Sequence, residues 1–227
     1  MALTLHYHPL SSYCHKVLIA LYENGTPFEK HLVDFGDENS RSEFLALWPT
    51  GKIPLLCDSA RDKTIPETSI MVEYLDRHYP GAHSLFPADD ALCLEARLWD
   101  RLFDLYVMTP MQAAVSQRLR PEAERDPKSV SDAVATLKMA YGMIERQLAG
   151  KTWAIGKDFG IADCAAAPSL FFAEAVTEIP ASHAKLRAYF ERLIGRPSIS
   201  RVIDEARPFF QYFPLKDALP ARFALGA

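Results

Sequence analysis

Leu3, Leu5 and Tyr7 alternate with Thr4, His6 and His8, a period of two that predicts a strand, and Pro9 ends it. Beyond Ser11 or Ser12, either of which can cap a helix, Cys14, Val17, Leu18 and Leu21 recur at helical spacing. His15, Lys16 and Glu23 fall on the other side, and Asn24-Gly25 stops the helix. Phe28 to Val33 reads as a second strand, parallel to the first with a right-handed crossover. Asp34 to Ser40 is polar and reads as loop, and Ser42 to Trp48 as a short helix. A third strand opens at Pro54, and Lys63 to Ile65 is a brief fourth. The next helix begins near Thr68 with Ile70, Met71, Tyr74 and Leu75 as its buried stripe, and His78-Tyr79-Pro80-Gly81 breaks it.

Strand signals vanish from Asp89 onward. Leu92, Ala96, Trp99, Phe103 and Tyr106 are spaced for one helix face, which Pro110 is expected to kink or end. Asp126-Pro127 is a cap followed by proline at the first helical position, and Val130, Val134, Leu137, Tyr141, Ile144 and Leu148 carry the next stripe. Ala162 to Val176 is apolar nearly all round, so this helix belongs in the middle of a bundle. Ala184 to Ile194 and Ser198 to Glu205 follow, separated by Gly195-Arg196-Pro197. The pattern predicts an α/β domain of βαβ-ββα order over residues 1–80, a linker over 81–88, and an all-α bundle over 89–227.

At 49% hydrophobic residues over 227 positions, the chain can build a substantial core. A net charge of -4 supplies no basic field for phosphates, which argues against nucleic acid as a partner. The first residues lack a basic leader, and the longest apolar stretch, Cys164 to Ala173, is too short to span a bilayer. The expectation is a cytoplasmic protein without a membrane partner. Cys14, Cys57, Cys93 and Cys164 form no Cys-x-x-Cys pair, and His15, His31, His78, His83 and His183 show no ligand spacing. Reduced thiols, surface histidines and no metal follow.

Two stretches carry the chemistry. In Thr50-Gly51-Lys52-Ile53-Pro54-Leu55-Leu56, Pro54 belongs at a strand's first residue or at an edge, and an Ile53-Pro54 bond in the cis form would turn the Ile53 backbone outward, where an extended peptide could pair with it. In Ile65-Pro66-Glu67-Thr68-Ser69-Ile70, a helix starts whose unpaired N–H groups favour an anion. A backbone clamp beside a carboxylate socket suits a short acidic peptide. The run from Pro49 to Leu56, followed by Glu67 to Leu75, resembles the glutathione-binding half of the soluble glutathione S-transferases. The likeness extends over the helical part, where Gly160-Ile161-Ala162-Asp163 is similar to that family's capping box with glycine in place of serine or threonine.

The resemblance implies a thioredoxin-like domain followed by a helical bundle, glutathione as co-substrate, a small hydrophobic electrophile as the second substrate, and a homodimer. It assigns Ile53, beside Pro54, to the cysteinyl part of the tripeptide, Glu67 and Thr68 to the γ-glutamyl amine and carboxylate, and Lys52 to the glycyl carboxylate. A cysteinyl thiol has a pKa of about 8.5, and lowering it by about two units takes roughly 2.7 kcal/mol. One hydrogen bond to a charged acceptor contributes about 1.5–3 kcal/mol, so a hydroxyl at a helix start suffices without a general base. Ser11 has the spacing of the catalytic serine in the theta, phi and zeta classes; Ser12 is its neighbour and a further glutathione contact.

Tyr7 stands at the strand end where other classes keep a tyrosine, and Cys14 reads as a packed core thiol, although Ser11-Ser12-Tyr13-Cys14 is similar to the zeta motif. The electrophile pocket is expected between the domains, lined by Tyr106, Met108, Met111 and Gln112, with the aromatic tail from Phe209 to Phe213 as a lid. Two other readings keep the fold: a glutathione-dependent reductase using Cys14, and a non-catalytic binding or assembly module.

Overall fold

The computed structural model describes residues 2–223, so Met1 and the last four residues of the expected bundle lie outside the described residues. The chain divides into two compact units, Met1–Leu85 and Phe86–Ala227. The first holds β1 (Leu3–Tyr7), α1 (Ser12–Asn24), β2 (Glu29–Leu32), α2 (Glu38–Leu47), β3 (Leu55–Asp58), β4 (Lys63–Ile65) and α3 (Thr68–His78). This is the thioredoxin-like arrangement. The sheet has the order β2-β1-β3-β4, with β1 and β2 parallel and the other pairs antiparallel. α1 packs against α3, while Val33, Phe44 and Leu55 form a core cluster with Trp48, Ile53 and Cys57 against it.

Three expectations for this unit are corrected. α2 begins at Glu38 rather than Ser42, because the Asp37 side chain accepts from the Ser40 N–H at 2.8 Å and caps the helix inside the polar stretch. Ile70 is 55% exposed and Val72 takes its place in the buried stripe with Met71 and Leu75. His15 and Lys16 are buried, since α1 is covered on all sides from Cys14 to Leu21.

The end of α3 is tied back to the β3–β4 turn by Asp58. Its buried carboxylate accepts from Tyr74 Oη at 2.7 Å, Tyr79 Oη at 2.6 Å and the N–H groups of Ala60 and Arg61. Burial alone would raise this carboxyl, but the four donors outweigh it and hold it below its ordinary value; burial and the Asp58 hydrogen bond push Tyr74 up to about 12. Tyr74→Phe is expected to destabilise the first unit by about 1.5–3 kcal/mol, the contribution of a hydrogen bond to a charged group, in urea titrations.

The second unit holds α4 (Asp90–Phe103), a π-helical turn (Asp104–Met108), α5 (Thr109–Leu119), α6 (Pro127–Gln147), α7 (Ile161–Glu174), α8 (Ala184–Ile194) and α9 (Pro197–Ala206). α7 is buried from Ile161 to Ala173 and packs on α4 and α8, as an all-apolar helix at the centre of a bundle should. Pro110 neither ends nor breaks the helix that precedes it. The Thr109 N–H reaches the Asp104 carbonyl five residues back, and the wider turn passes directly into α5, where Pro110 occupies the first turn and needs no N–H. That wider turn ends the α4 stripe, leaving Tyr106 41% exposed while Ala96, Trp99 and Phe103 stay buried.

Within the aromatic tail Phe210 stacks on Phe171 and Phe213 meets Phe172, both buried, while Tyr212 is 70% exposed. Among the described residues no helix is long and apolar enough to cross a membrane.

Candidate functional site

The sheet register gathers the motifs at one end. His6 pairs with Leu55 and Leu56 with Ile65, so the end of β1, the start of β3 and the end of β4 share one edge. Out of that edge come the His8–Ser11 loop, the Ile53-Pro54 pair, and Pro66-Glu67. Both α1 and α3 start there, so two helix N-termini contribute their partial positive charge to the same place.

Ser11 is the N-cap of α1: its Oγ accepts from the Cys14 N–H at 3.3 Å, and its hydroxyl also hydrogen-bonds the Cys14 side chain. The loop before it is held by several bonds. The Ser11 N–H donates to the His8 carbonyl at 3.0 Å, the Leu10 N–H to His8 Nδ1 at 3.1 Å, and buried His15 Nε2 to the Pro9 carbonyl at 2.6 Å. Burial lowers the His8 pKa against a smaller opposing effect of Asp34, which suits an imidazole that accepts at Nδ1. Ser11 is half-buried, whereas Ser12 is buried, so only the former presents a partly open hydroxyl. Tyr7 is half-buried, with Lys30 Nζ 6.0 Å from its ring centroid.

Cys14 is fully buried, and burial pushes its thiol up to about 12 despite hydrogen bonds with Ser11 and from the His8 N–H. A thiol so placed stays protonated and unreactive at neutral pH.

The Ile53-Pro54 bond is cis. Among the described residues neither peptide group of Ile53 makes a hydrogen bond, so an extended ligand can pair there. Gly51, at φ +66°, makes the turn that leads into this segment, and a Cβ there would meet Leu45 Cδ2 at 3.2 Å. Pro54 is buried and Lys52 exposed.

Glu67 precedes α3 with φ 65° and ψ 115°, a conformation non-glycine residues rarely adopt, and its side chain makes no capping bond. Glu67 is exposed and Thr68 buried. The sequence reading missed Lys16, whose Nζ donates to Ser69 Oγ at 3.1 Å in the first turn of α3. The signal was the unbroken run Val17-Leu18-Ile19-Ala20-Leu21, which leaves α1 no exposed face for its neighbour.

In the helical unit Met108 and Met111 are buried, because the π turn and the start of α5 present them to the bundle interior; Tyr106 and Gln112 are exposed. A small apolar recess is lined by Trp99, Phe103, Tyr106, Val107, Met143 and Ile144. Among the described residues no group of three or more His, Cys, Asp or Glu side chains could hold a metal ion.

A thioredoxin-like domain with a cis-proline strand head and a serine-capped first helix, followed by a helical bundle, is the arrangement of the glutathione S-transferase fold. Residues 5–83 match the family model described as the glutathione S-transferase N-terminal domain, and residues 113–192 the one described as its C-terminal domain. The chain belongs to the glutathione S-transferase family. It is 28% identical to glutathione S-transferase GstB of Escherichia coli K12 over 193 residues, covering 83% of this chain and 91% of that one.

It is 32% identical to the glutathione S-transferase-like protein LUC7 of a Fusarium species, over 70% of this chain and 71% of that one. It is 26% identical to a stringent starvation protein A homolog of Haemophilus influenzae, over 86% and 87%. A glutathione S-transferase from Methylobacterium radiotolerans, solved in complex with glutathione sulfonate, superposes with a TM-score of 0.75 at 26% identity, covering 88% of this chain and 93% of that one.

Proposed function

We propose that the protein binds glutathione at the sheet edge shared by Ser11, Ile53 and Glu67, and activates its thiol for attack on a small hydrophobic electrophile. The observation that carries this reading is the convergence of a half-buried cap hydroxyl, an unpaired backbone edge and a helix start at one end of a sheet in a chain of this family. Ser11 donates to the thiolate sulfur, and the N-terminus of α1 adds a smaller favourable field. Ile53 pairs with the cysteinyl backbone, Glu67 and Thr68 take the γ-glutamyl end, and Lys52 meets the glycyl carboxylate. Tyr106 and Gln112, both exposed, serve as the electrophile contacts of the helical unit. Leu94 and Leu98, exposed one turn apart on α4, offer an apolar stripe to a second copy of the chain in a homodimer.

The buried Cys14 speaks against a reductase that works through that thiol. A binding or assembly role without turnover is favoured by the similarity to a stringent starvation protein A homolog, whose name is not that of a transferase. Calorimetry with glutathione, followed by conjugation assays with activated aryl halides and enones, separates these readings. Saturable binding at millimolar or lower concentration with consumption of an electrophile is the expected result. Binding without turnover of any electrophile supports a binding role, and no binding at all sinks the transferase reading.

A further inference from the structure

Ser11 has to cap α1 and direct its proton at a ligand with the same hydroxyl, which has one proton to give and two lone pairs to fill. The Cys14 N–H fills one lone pair at 3.3 Å. The Cys14 side chain also hydrogen-bonds this hydroxyl, and its sulfur accepts from the His8 N–H at 3.5 Å. The direction of the Ser11–Cys14 bond therefore decides what Ser11 can do. If the serine donates to the buried sulfur, its proton points into the protein. If the thiol donates to Oγ, both lone pairs are filled and the serine proton is left to point outward. The surroundings of the sulfur allow the second arrangement. Cys14 has 0% of its surface exposed, and a thiol that ordinarily ionises at about 8.5 keeps its proton when buried. The His8 N–H already donates to that sulfur, so Ser11 Oγ is an acceptor for the thiol's own proton. A sulfur anion in front of Ser11 is a stronger acceptor than a neutral thiol behind it, so it draws the serine proton outward.

We propose that Cys14 is a positioning residue for Ser11: its S–H donates to Ser11 Oγ when an anionic sulfur is bound, so that the serine proton is aimed at the ligand while Oγ keeps both of its donors. The inference rests on the glutathione reading above and names the group that orients the serine hydroxyl. Each proton stays on its own atom, and only the direction of the Ser11–Cys14 bond changes. Cys14 is enclosed by the protein and does not touch the reacting sulfur, so its effect falls on the ionisation of the bound thiol.

The test follows, across pH, the ultraviolet absorbance of glutathione thiolate bound to wild type, Cys14→Ala and Cys14→Ser. The two substitutes leave nearly the same space in the core, but only serine carries a donor. Cys14→Ala is expected to raise the midpoint of thiolate formation by about half to one pH unit, the scale of one hydrogen bond. Cys14→Ser is expected to stay within about 0.3 pH unit of wild type, because its hydroxyl can donate to Ser11 in the thiol's place. Equal shifts in both variants, as a packing role alone would give, overturn the proposal, as does an unshifted midpoint in Cys14→Ala. Should the variants fail to fold, wild type decides through its S–H stretch in the infrared. Glutathione sulfonate carries no S–H and sets anionic oxygens before Ser11, so its binding is expected to move one protein S–H band to lower frequency, as a stronger S–H donor bond does. No moving band overturns the proposal. If wild type binds no glutathione, or binds it without lowering the thiol's midpoint, the transferase reading falls together with the role of Cys14; if wild type lowers the midpoint and Cys14→Ala does so equally, only the role of Cys14 falls.

Discussion

Replacing Ser11 with alanine is expected to lower kcat/KM for thiol addition about 10- to 150-fold, the rate equivalent of losing a hydrogen bond of about 1.5–3 kcal/mol to a charged acceptor. The thiolate of bound glutathione, followed by its ultraviolet absorbance, should form about one to two pH units higher in the variant. Because Ser11 Oγ also accepts from the Cys14 N–H, the substitution removes the α1 cap and costs about 1 kcal/mol of stability. Ser11→Thr retains both an acceptor and a donor, so it should restore the cap and part of the activity. Ser12→Ala, at a buried position, should alter stability more than the thiolate's ionisation. A Ser11→Ala enzyme with an unshifted thiol pH profile would remove Ser11 from the chemistry and return it to a capping role alone.

Asp163→Ala is expected to cost the second unit about 3–5 kcal/mol. The Asp163 side chain, buried at the start of α7, accepts from the Ala154 N–H at 2.9 Å, the Gly160 N–H at 2.9 Å and Tyr189 Oη at 2.5 Å. Gly160 supplies no side-chain acceptor to the α7 start, so the reach back from Asp163 is the half of the capping box that remains. Each donor left unpaired in the interior costs about 1–3 kcal/mol.

Burial raises the Asp163 carboxyl to about 6, against the smaller opposing pull of its donors, so the folded state binds this proton more tightly than the unfolded state does. Its contribution to stability is therefore greatest below the ordinary aspartate range and is lost as pH rises through about 6. The stability difference between wild type and Asp163→Asn, from urea titrations, should accordingly shift in favour of wild type as pH falls from about 7.5 to 5. A pH-independent difference would show that the carboxylate remains charged in the folded protein.

Much of this architecture is legible in the chain because its signals are local. β4 spans Lys63–Ile65 and α8 spans Ala184–Ile194, as turn residues and spacing predict, and the Asp126 cap places the start of α6. The misread helix faces share a cause: periodicity assigns one outward face to each helix, and the tertiary structure covers or reveals faces for other reasons. Spacing puts Lys16 and His15 outward, yet α1 has no outward face in that stretch. Spacing and apolarity put Ile70 inward, yet Val72 fills that position.

Phe210 and Phe213 carry no spacing signal, because what they complete is a ring cluster with Phe171 and Phe172, far earlier in the chain. The Pro49–Leu56 and Glu67–Leu75 motifs pointed to the sheet edge from sequence. The strained backbone of Glu67 and the buried ammonium behind it could not be read there, since both depend on how separate segments meet.

The π turn at Asp104–Met108 sets a constraint on how this chain can vary. A π turn is a helix that has absorbed one residue too many, so deleting a residue from this stretch would leave a regular, hydrogen-bonded α-helix in its place. Such a deletion would leave the screw beyond it in phase, because the wider turn advances less per residue and so takes up the rotation of about 100° that one residue adds to an α-helix. A residue lost from within α5, where there is no such slack, would swing Ala114, now inward, toward water, and the seam between α5 and α6 would lose its fit. Outside the wider turn length is thus tied to rotation: α4 and α5 can exchange many side chains, but a residue dropped from either re-aims everything after it.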